Sequence, residues 1–132
     1  MYKKPIFVVH KHSAKHLHYD FRLEHSGVLK SWAIPKEPVN DSKIKRLAIW
    51  VDDHPLDYAD FSGIIPEGKY GAGKVEIWDR GEYTPIKFEE DEVIFNLQGE
   101  RLKGNFCLLK LKKNNTKGKN WLFFKMHQKG SG

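Results

Sequence analysis

Residues 17–24, LHYDFRLE, alternate between apolar and ionisable side chains without a break. Leu17, Tyr19, Phe21 and Leu23 form one set; His18, Asp20, Arg22 and Glu24 form the other. Successive side chains on a β-strand point to opposite faces, so a period of two puts the sets on opposite sides of a sheet. The apolar set reads as a core row. The other row sets an imidazole, a carboxylate and a guanidinium side by side, which a core does not require.

Working outward, similar short apolar or alternating runs recur at 6–9, 28–34, 46–51, 74–78, 93–97, 105–111 and 121–126. Turn formers separate them: Ser26-Gly27, Gly63, the 68–73 stretch, Gly81, Gly99, Gly104 and Asn114-Asn115. No segment sustains a helical period for three turns, and short helical turns are expected only at 13–17, 57–61 and 87–92. With about eight strands and so little helix to cover a sheet, the expected fold is all-β. A compact closed β-barrel buries one face and removes the edges.

The chain of 132 residues fits one domain, 1–132, with 130–132 reading as a tail. Hydrophobic residues make up 39%, with eight Phe, five Tyr and four Trp, which is enough apolar material to exclude disorder as the default. The lone Cys107 allows neither an internal disulfide nor a cysteine zinc site, and in KGNFCLLK it reads as an inert thiol at the core. The apolar run at 6–9 is too short for a signal peptide or a membrane span, so a cytoplasmic protein is expected, with monomer as the default state. The net charge of +6 favours an anionic partner. Part of that charge lies in KLKKNNTKGK, residues 110–119, which reads as a solvated basic hairpin tip.

His18 and Asp20 lie two apart on one strand face, where a ring nitrogen and a carboxylate oxygen can converge on one ion. His12 can return across a tight turn as a third ligand. Imidazole with carboxylate suits Mn, Co or Zn better than the all-oxygen preferences of Mg or Ca. Three protein ligands leave open positions, as catalysis needs. Spacing also allows other pairs: His10 with His12, two apart, and His12 with His16, at i and i+4. A metalloprotease H-E-x-x-H is excluded because Ser13 follows His12. Arg22 shares the face with His18 and Asp20, about 7 Å per two residues along the strand, and a metal beside an Arg fork is a phosphate-handling arrangement. Lys36 in IPKEP, Arg46 opening RLAIWV, and His54 and Tyr58 in DDHPLDYADF are further candidates, each unremarkable when taken alone. The glycine-rich stretch 65–83, IPEGKYGAGKVEIWDRGEY, is no P-loop, since Gly73-Lys74 is followed by Val75. It reads as a tight loop feeding a strand, with Glu67 or Tyr70 placed to line a groove.

FVVHKHSAKHLHYDFRLEHSGVLKSWAIPKEP, then RLAIWVDDHPLDYADFSGIIPEGKYGAGKVEIWDRG, then GERLKGNFCLLKL and WLFFK together resemble one family from about Phe7 to Lys125. It is the 3′-phosphoesterase module of bacterial ligase D end-joining proteins, which also occurs as stand-alone archaeal and bacterial polypeptides. The resemblance implies a compact barrel with its active site on the outer surface. It implies a divalent metal, typically Mn²⁺ with Co²⁺ or Zn²⁺ as substitutes, on His12, His18 and Asp20, and phosphate-binding residues at Arg22, Lys36, Arg46 and His54. Catalytic roles fall on His54, Arg22 and Tyr58.

The implied activity is trimming of DNA or RNA primer strands at their 3′ ends: removal of a 3′-phosphate and of a 3′-terminal ribonucleoside, beside a DNA ligase and a polymerase of an end-joining pathway. Fused members carry an N-terminal arm with Arg, Asp and Glu used in the ribonucleoside step. Residues 1–5 offer no match to it, so the phosphatase step is expected to be the faster. Lys15-His16 also departs from the two Arg of many relatives. The alternative reading is a non-catalytic barrel that binds nucleic-acid ends and holds a structural metal.

Overall fold

The computed structural model describes residues 3–115 and 117–127; the expected tail at 130–132 lies outside them. Nine strands follow in chain order: β1 (Ile6–Ser13), β2 (Leu17–His25), β3 (Val28–Ile34), β4 (Arg46–Pro55), β5 (Gly63–Ile65), β6 (Gly73–Phe88), β7 (Glu92–Gly99), β8 (Lys103–Lys110) and β9 (Asn120–Lys125). All pairings are antiparallel. The order β1-β2-β3-β4-β9-β8-β7-β6 closes on itself through β1–β6, and short β5 adds to the edge of β6. This is the all-β closed barrel expected from the sequence.

The core row of β2 does what its period predicts. Phe21 packs against Phe7, Phe95 and Phe123 with ring centres 6.1, 5.5 and 4.9 Å away. Tyr19 and Leu23 are buried beside it, whereas Leu17, at the strand's open end, is exposed. Ser26 and Gly27 both take positive φ, the backbone that a two-residue hairpin between β2 and β3 demands.

Two of the expected helical turns are absent: within 13–17 only 14–16 lie outside the strands, as a bend joining β1 to β2, and within 87–92 only 89–91 do, as the reversal from β6 to β7. The third is a single 3-10 turn, Leu56–Asp60. Strand β6 runs to Phe88, far past the expected end at residue 78. Gly81 looked like a break, yet it is there because a Cβ at that position would run into the Gln98 carbonyl of the paired strand. Nearby, the buried Asp79 carboxylate accepts backbone N–H bonds from Arg80, Glu100, Arg101 and Leu102, fixing the turn between β7 and β8.

The outer face of β1 to β3 is also covered. Val8 and Leu29 are buried with Ala59 of the 3-10 turn, and Leu56, Tyr58, Ile6 and Ile77 pack around them. That second small apolar cluster clamps the Leu56–Asp60 turn onto the barrel wall and brings Tyr58 and His54 to the ionisable row of β2. Glu24, at the end of that row, accepts the Ile6 backbone N–H at 2.9 Å, a structural bond.

Candidate active site

The β1–β2 hairpin places His12 directly across from His18, and His10 across from Asp20. The His12 and His18 rings lie 4.7 Å apart. One ligand atom from each of His12, His18 and Asp20 falls within 4.8 Å of the others. His12 Nδ1 and His18 Nε2 lie 3.7 and 3.4 Å from Asp20 Oδ2.

The opposite nitrogen of each ring is committed elsewhere. His12 Nε2–H donates to the Gly71 carbonyl at 2.8 Å, and His18 Nδ1–H donates to the His16 carbonyl at 3.0 Å. In its neutral form each ring thus turns a lone pair toward Asp20, the orientation that a carbonyl behind a histidine gives a metal ligand. Two such nitrogens and a carboxylate oxygen fit a divalent first-row cation. His16 contributes its carbonyl and keeps its own ring exposed.

Asp20 is nearly buried, and burial alone would push its carboxyl up. The His18 hydrogen bond and the Arg22, His18 and His12 charges outweigh this and hold it below the usual carboxylate range. The same contact with Asp20 raises His18 above the ordinary imidazole value, against its own desolvation. A cation at these atoms therefore competes with protons.

Arg22 is 3% exposed. Its Nε–H donates to His10 Nδ1 at 3.0 Å, Nη1 donates to Ser31 Oγ at 2.9 Å and faces His54 Nδ1 at 3.1 Å, and Nη2 lies 3.3 Å from Asp20 Oδ2. Of the five guanidinium N–H groups these contacts engage four, leaving one Nη2–H for a ligand. The side chain is too committed to grip a phosphate bidentately, contrary to the simple fork suggested by the sequence.

His10, fully buried, is one of the residues, with His16 and Glu24, to which sequence reasoning gave no role. Its Nε2–H donates to the Phe61 carbonyl at 3.1 Å while Nδ1 accepts from Arg22, so its tautomer is fixed. Burial, with Arg22 beside it, lowers its pKa to about 4. The signal was available: a hairpin that pairs His12 with His18 must pair His10 with Asp20.

His54 Nδ1 lies 3.1 Å from both Arg22 Nη1 and the Asp52 carbonyl. Nδ1 cannot accept from Arg22 and donate to the Asp52 carbonyl at once; a guanidinium can only donate, so in the tautomer that keeps the Arg22 bond the proton sits on Nε2 and the Asp52 carbonyl is a close neighbour without a hydrogen bond. Burial and Arg22 lower the His54 pKa, which keeps the ring neutral at pH 7. Tyr58 lies over this corner. Its ring centre is 4.8 Å from that of His54 and 5.0 Å from Arg22 Cζ, and burial raises its phenol above the ordinary value.

His12, His18, Asp20, Arg22, His54 and Tyr58 all line one cleft of about 570 Å³. Lys36 and Arg46 are not among its lining residues. Lys36 is exposed beyond the end of β3, and Arg46 donates from Nε to the Glu37 carbonyl at 2.9 Å. Ser31, the hydroxyl next to Arg22, donates to the Leu29 carbonyl and accepts from Arg22, so it is not a free nucleophile.

Residues 10–110 match the family described as the DNA Ligase D 3′-phosphoesterase domain. The chain belongs to this family. It is 51% identical over 123 residues to the multifunctional non-homologous end joining protein LigD of Pseudomonas aeruginosa, covering 89% of this chain and 14% of the relative. The corresponding protein of Mycobacterium tuberculosis strain CDC 1551 is 50% identical over 120 residues, covering 88% and 15%. That of Mycolicibacterium smegmatis is 43% identical over 131 residues, covering 91% and 16%. The chain thus spans about a seventh of the length of these relatives. Among the described residues no helix is long and apolar enough to cross a membrane.

Proposed function

We propose that the protein is a single 3′-phosphoesterase domain, 1–132, that processes the 3′ ends of nucleic-acid primer strands in DNA end joining, as a metal-dependent hydrolase. The observation that carries the reading is the convergence in one cleft of three metal-ligating atoms within 4.8 Å of one another and a guanidinium held beside them. His12, His18 and Asp20 would hold a divalent ion, Mn²⁺ by family resemblance and Co²⁺ or Zn²⁺ as substitutes. Bound there, the ion supplies Lewis-acid polarisation and a lowered pKa for water.

The chain's own residues do the rest. Arg22, held by its partners and lining the cleft, keeps one Nη2–H for a phosphoryl oxygen, a donor that would need little reorganisation as charge builds there. Neutral His54, in the tautomer whose Nδ1 accepts from Arg22, offers Nε2–H to a second phosphoryl oxygen, a role suited to its lowered pKa, since a general acid at pH 7 would need a higher one. Tyr58 covers the Arg22–His54 contact from water. Lys36 and Arg46, outside the cleft lining, are assigned to the flanking phosphates of a longer substrate. In the reaction water attacks phosphorus, the bond to the 3′-oxygen breaks, and that oxygen takes up a proton, giving a 3′-OH and inorganic phosphate. A DNA ligase or polymerase would use the 3′-OH next. This role fits a cytoplasmic protein that works as a monomer.

The test is release of phosphate from a 3′-phosphorylated primer-template with Mn²⁺, against a panel of small phosphate esters and a matched strand ending in a ribonucleoside. Turnover of the strand that stops on chelation and returns with Mn²⁺ is expected. Full turnover after chelation overturns the metal role. Tight binding of ends with no turnover on any substrate would instead leave a non-catalytic end-binding barrel.

A further inference from the structure

The loop between β5 and β6 has so far served only through one carbonyl, that of Gly71. Its neighbour Tyr70 is 96% exposed, the most exposed large hydrophobic side chain among the described residues, and yet it lines the cleft together with His12, His18, Asp20 and Arg22. A free aromatic ring on a protein surface is commonplace when it stands alone. This one lines a charged cleft of about 570 Å³, roomy enough for a phosphate together with its sugar.

The backbone beneath it is fixed on both sides. Gly71 carries φ +77 and accepts the His12 Nε2–H bond, so residue 70 is one step from the partner of a proposed metal ligand. Gly73, at φ +132, lies so close to β1 that a Cβ would meet the Ser13 carbonyl. Within the loop, the Ala72 and Lys69 N–H groups bond to the Lys69 and Pro66 carbonyls at 3.1 and 3.2 Å. Ile65, which also lines the cleft, sits beside Gly71. The ring gains nothing from packing on the protein, although its attachment point is held against the site.

We infer that Tyr70 is the stacking platform for the last base of the strand whose 3′ end enters the cleft. The inference rests on the 3′-end reading above. A terminal sugar whose phosphate lies among the ligand atoms and Arg22 must project its base out past the rim, and a flat apolar ring is the partner that every base accepts. Lys69, exposed within the loop next to Tyr70, and Lys15, exposed in the β1–β2 turn that shares a surface hollow with Gly71 and Ala72, make no ion pair among the described residues and offer positive charge to the strand behind that base. Tyr70 is thus a specificity residue: it favours a nucleotide end over a bare phosphate ester without choosing among bases.

The experiment places 2-aminopurine at the 3′-terminal position of a phosphorylated primer-template and compares wild type, Tyr70→Trp, Tyr70→Phe and Tyr70→Ala. Stacking predicts quenching by wild type and by both aromatic variants, lost in Tyr70→Ala, with KM raised about tenfold and kcat changed less. On a matched strand whose terminal residue is abasic, the penalty of Tyr70→Ala should shrink to under about threefold. An equal penalty on both strands would overturn the inference and make Tyr70 a support of the loop. Absence of any penalty, with quenching intact in Tyr70→Ala, would overturn it too. Should wild type release no phosphate from any strand, the 3′-end reading fails, and the quenching series still decides whether the ring stacks on a base.

Discussion

The two faces of β2 are both buried, and they are buried by different means. Inward, Tyr19, Phe21 and Leu23 lie in a continuous aromatic and aliphatic core. Outward, Asp20 and Arg22 are as inaccessible as core residues but are surrounded by His10, Ser31, His18 and His54, each contributing a hydrogen bond or a charge. Apolar burial is non-directional and tolerates repacking. A buried charge network tolerates little, because any member left unpaired costs its full desolvation. The inner face therefore sets the stability of the barrel, and the outer face sets the geometry of the cleft.

The largest expected effect lies on the inner face. Phe21→Ala removes a ring with three aromatic neighbours and should cost about 3–5 kcal/mol, read as a lower denaturant midpoint with an unchanged slope. A cost below about 1 kcal/mol would mean that the inner row is not the main support of the barrel. His18→Ala is the outer counterpart. Its side chain is 26% exposed and Asp20 keeps Arg22 and His12 beside it, so the apo fold should lose less than with Phe21→Ala. Its effect should appear on adding Mn²⁺: at a concentration a hundredfold above Kd the wild type gains about 3 kcal/mol, and the variant should gain almost none in a thermal melt. An equal gain in both proteins would place the ion elsewhere.

This division also decides what could be read from sequence. The strict alternation of LHYDFRLE identified both rows of β2, and turn residues such as Ser26-Gly27 located the strand ends. Together they led to an all-β barrel and to His18, Asp20 and Arg22 on one face, whereas His12 was separated from the His10 and His16 alternatives only by the family resemblance. What stayed hidden depended on which elements meet across the chain. His54 and Tyr58 lie more than 30 residues from Arg22, and only the packing of Ala59 on Val8 and Leu29 brings them together. The commitment of Arg22 to four partners was equally invisible, since two of them, His10 and Ser31, look like ordinary strand residues. Gly81 misled because glycine signals a turn as readily as it signals close approach between strands.

A smaller effect separates charge from geometry within the outer row. Arg22→Lys keeps the positive charge but cannot serve His10, Ser31, His54 and Asp20 at once. Turnover of a 3′-phosphorylated strand should fall ten- to a hundredfold, which is about 1.4–2.7 kcal/mol of transition-state stabilisation. The Mn²⁺-induced thermal shift should persist, because none of the three ligand atoms belongs to Arg22. Full activity in the lysine variant would reduce Arg22 to a counter-charge for Asp20.

The gentlest effect, spread over more than two pH units and partly offset by His18, is one of pH, and it tests whether the outer row is held together as neutral as well as charged groups. His10 has a folded-state pKa of about 4, against about 6.5 when unfolded, because it is fully buried and faces Arg22. Above pH 6.5 neither state is protonated there, so His10 adds no pH dependence. Between pH 6.5 and 4 the unfolded chain takes up the proton first, and stability falls as pH falls, by at most about 1.4 kcal/mol per pH unit from this group. His18 works in the opposite sense, since its raised pKa adds stability on acidification, so the total curve will be shallower than His10 alone would make it. Comparison with His10→Gln isolates the term: glutamine keeps a donor and an acceptor for Phe61 and Arg22 and does not titrate. With chelator present throughout, the two stability curves should run parallel above pH 6.5 and converge as pH drops toward 4. Curves that stay parallel down to pH 4 would show that the proton enters elsewhere, and that His10 orders Arg22 without being the acid-sensitive point of the site.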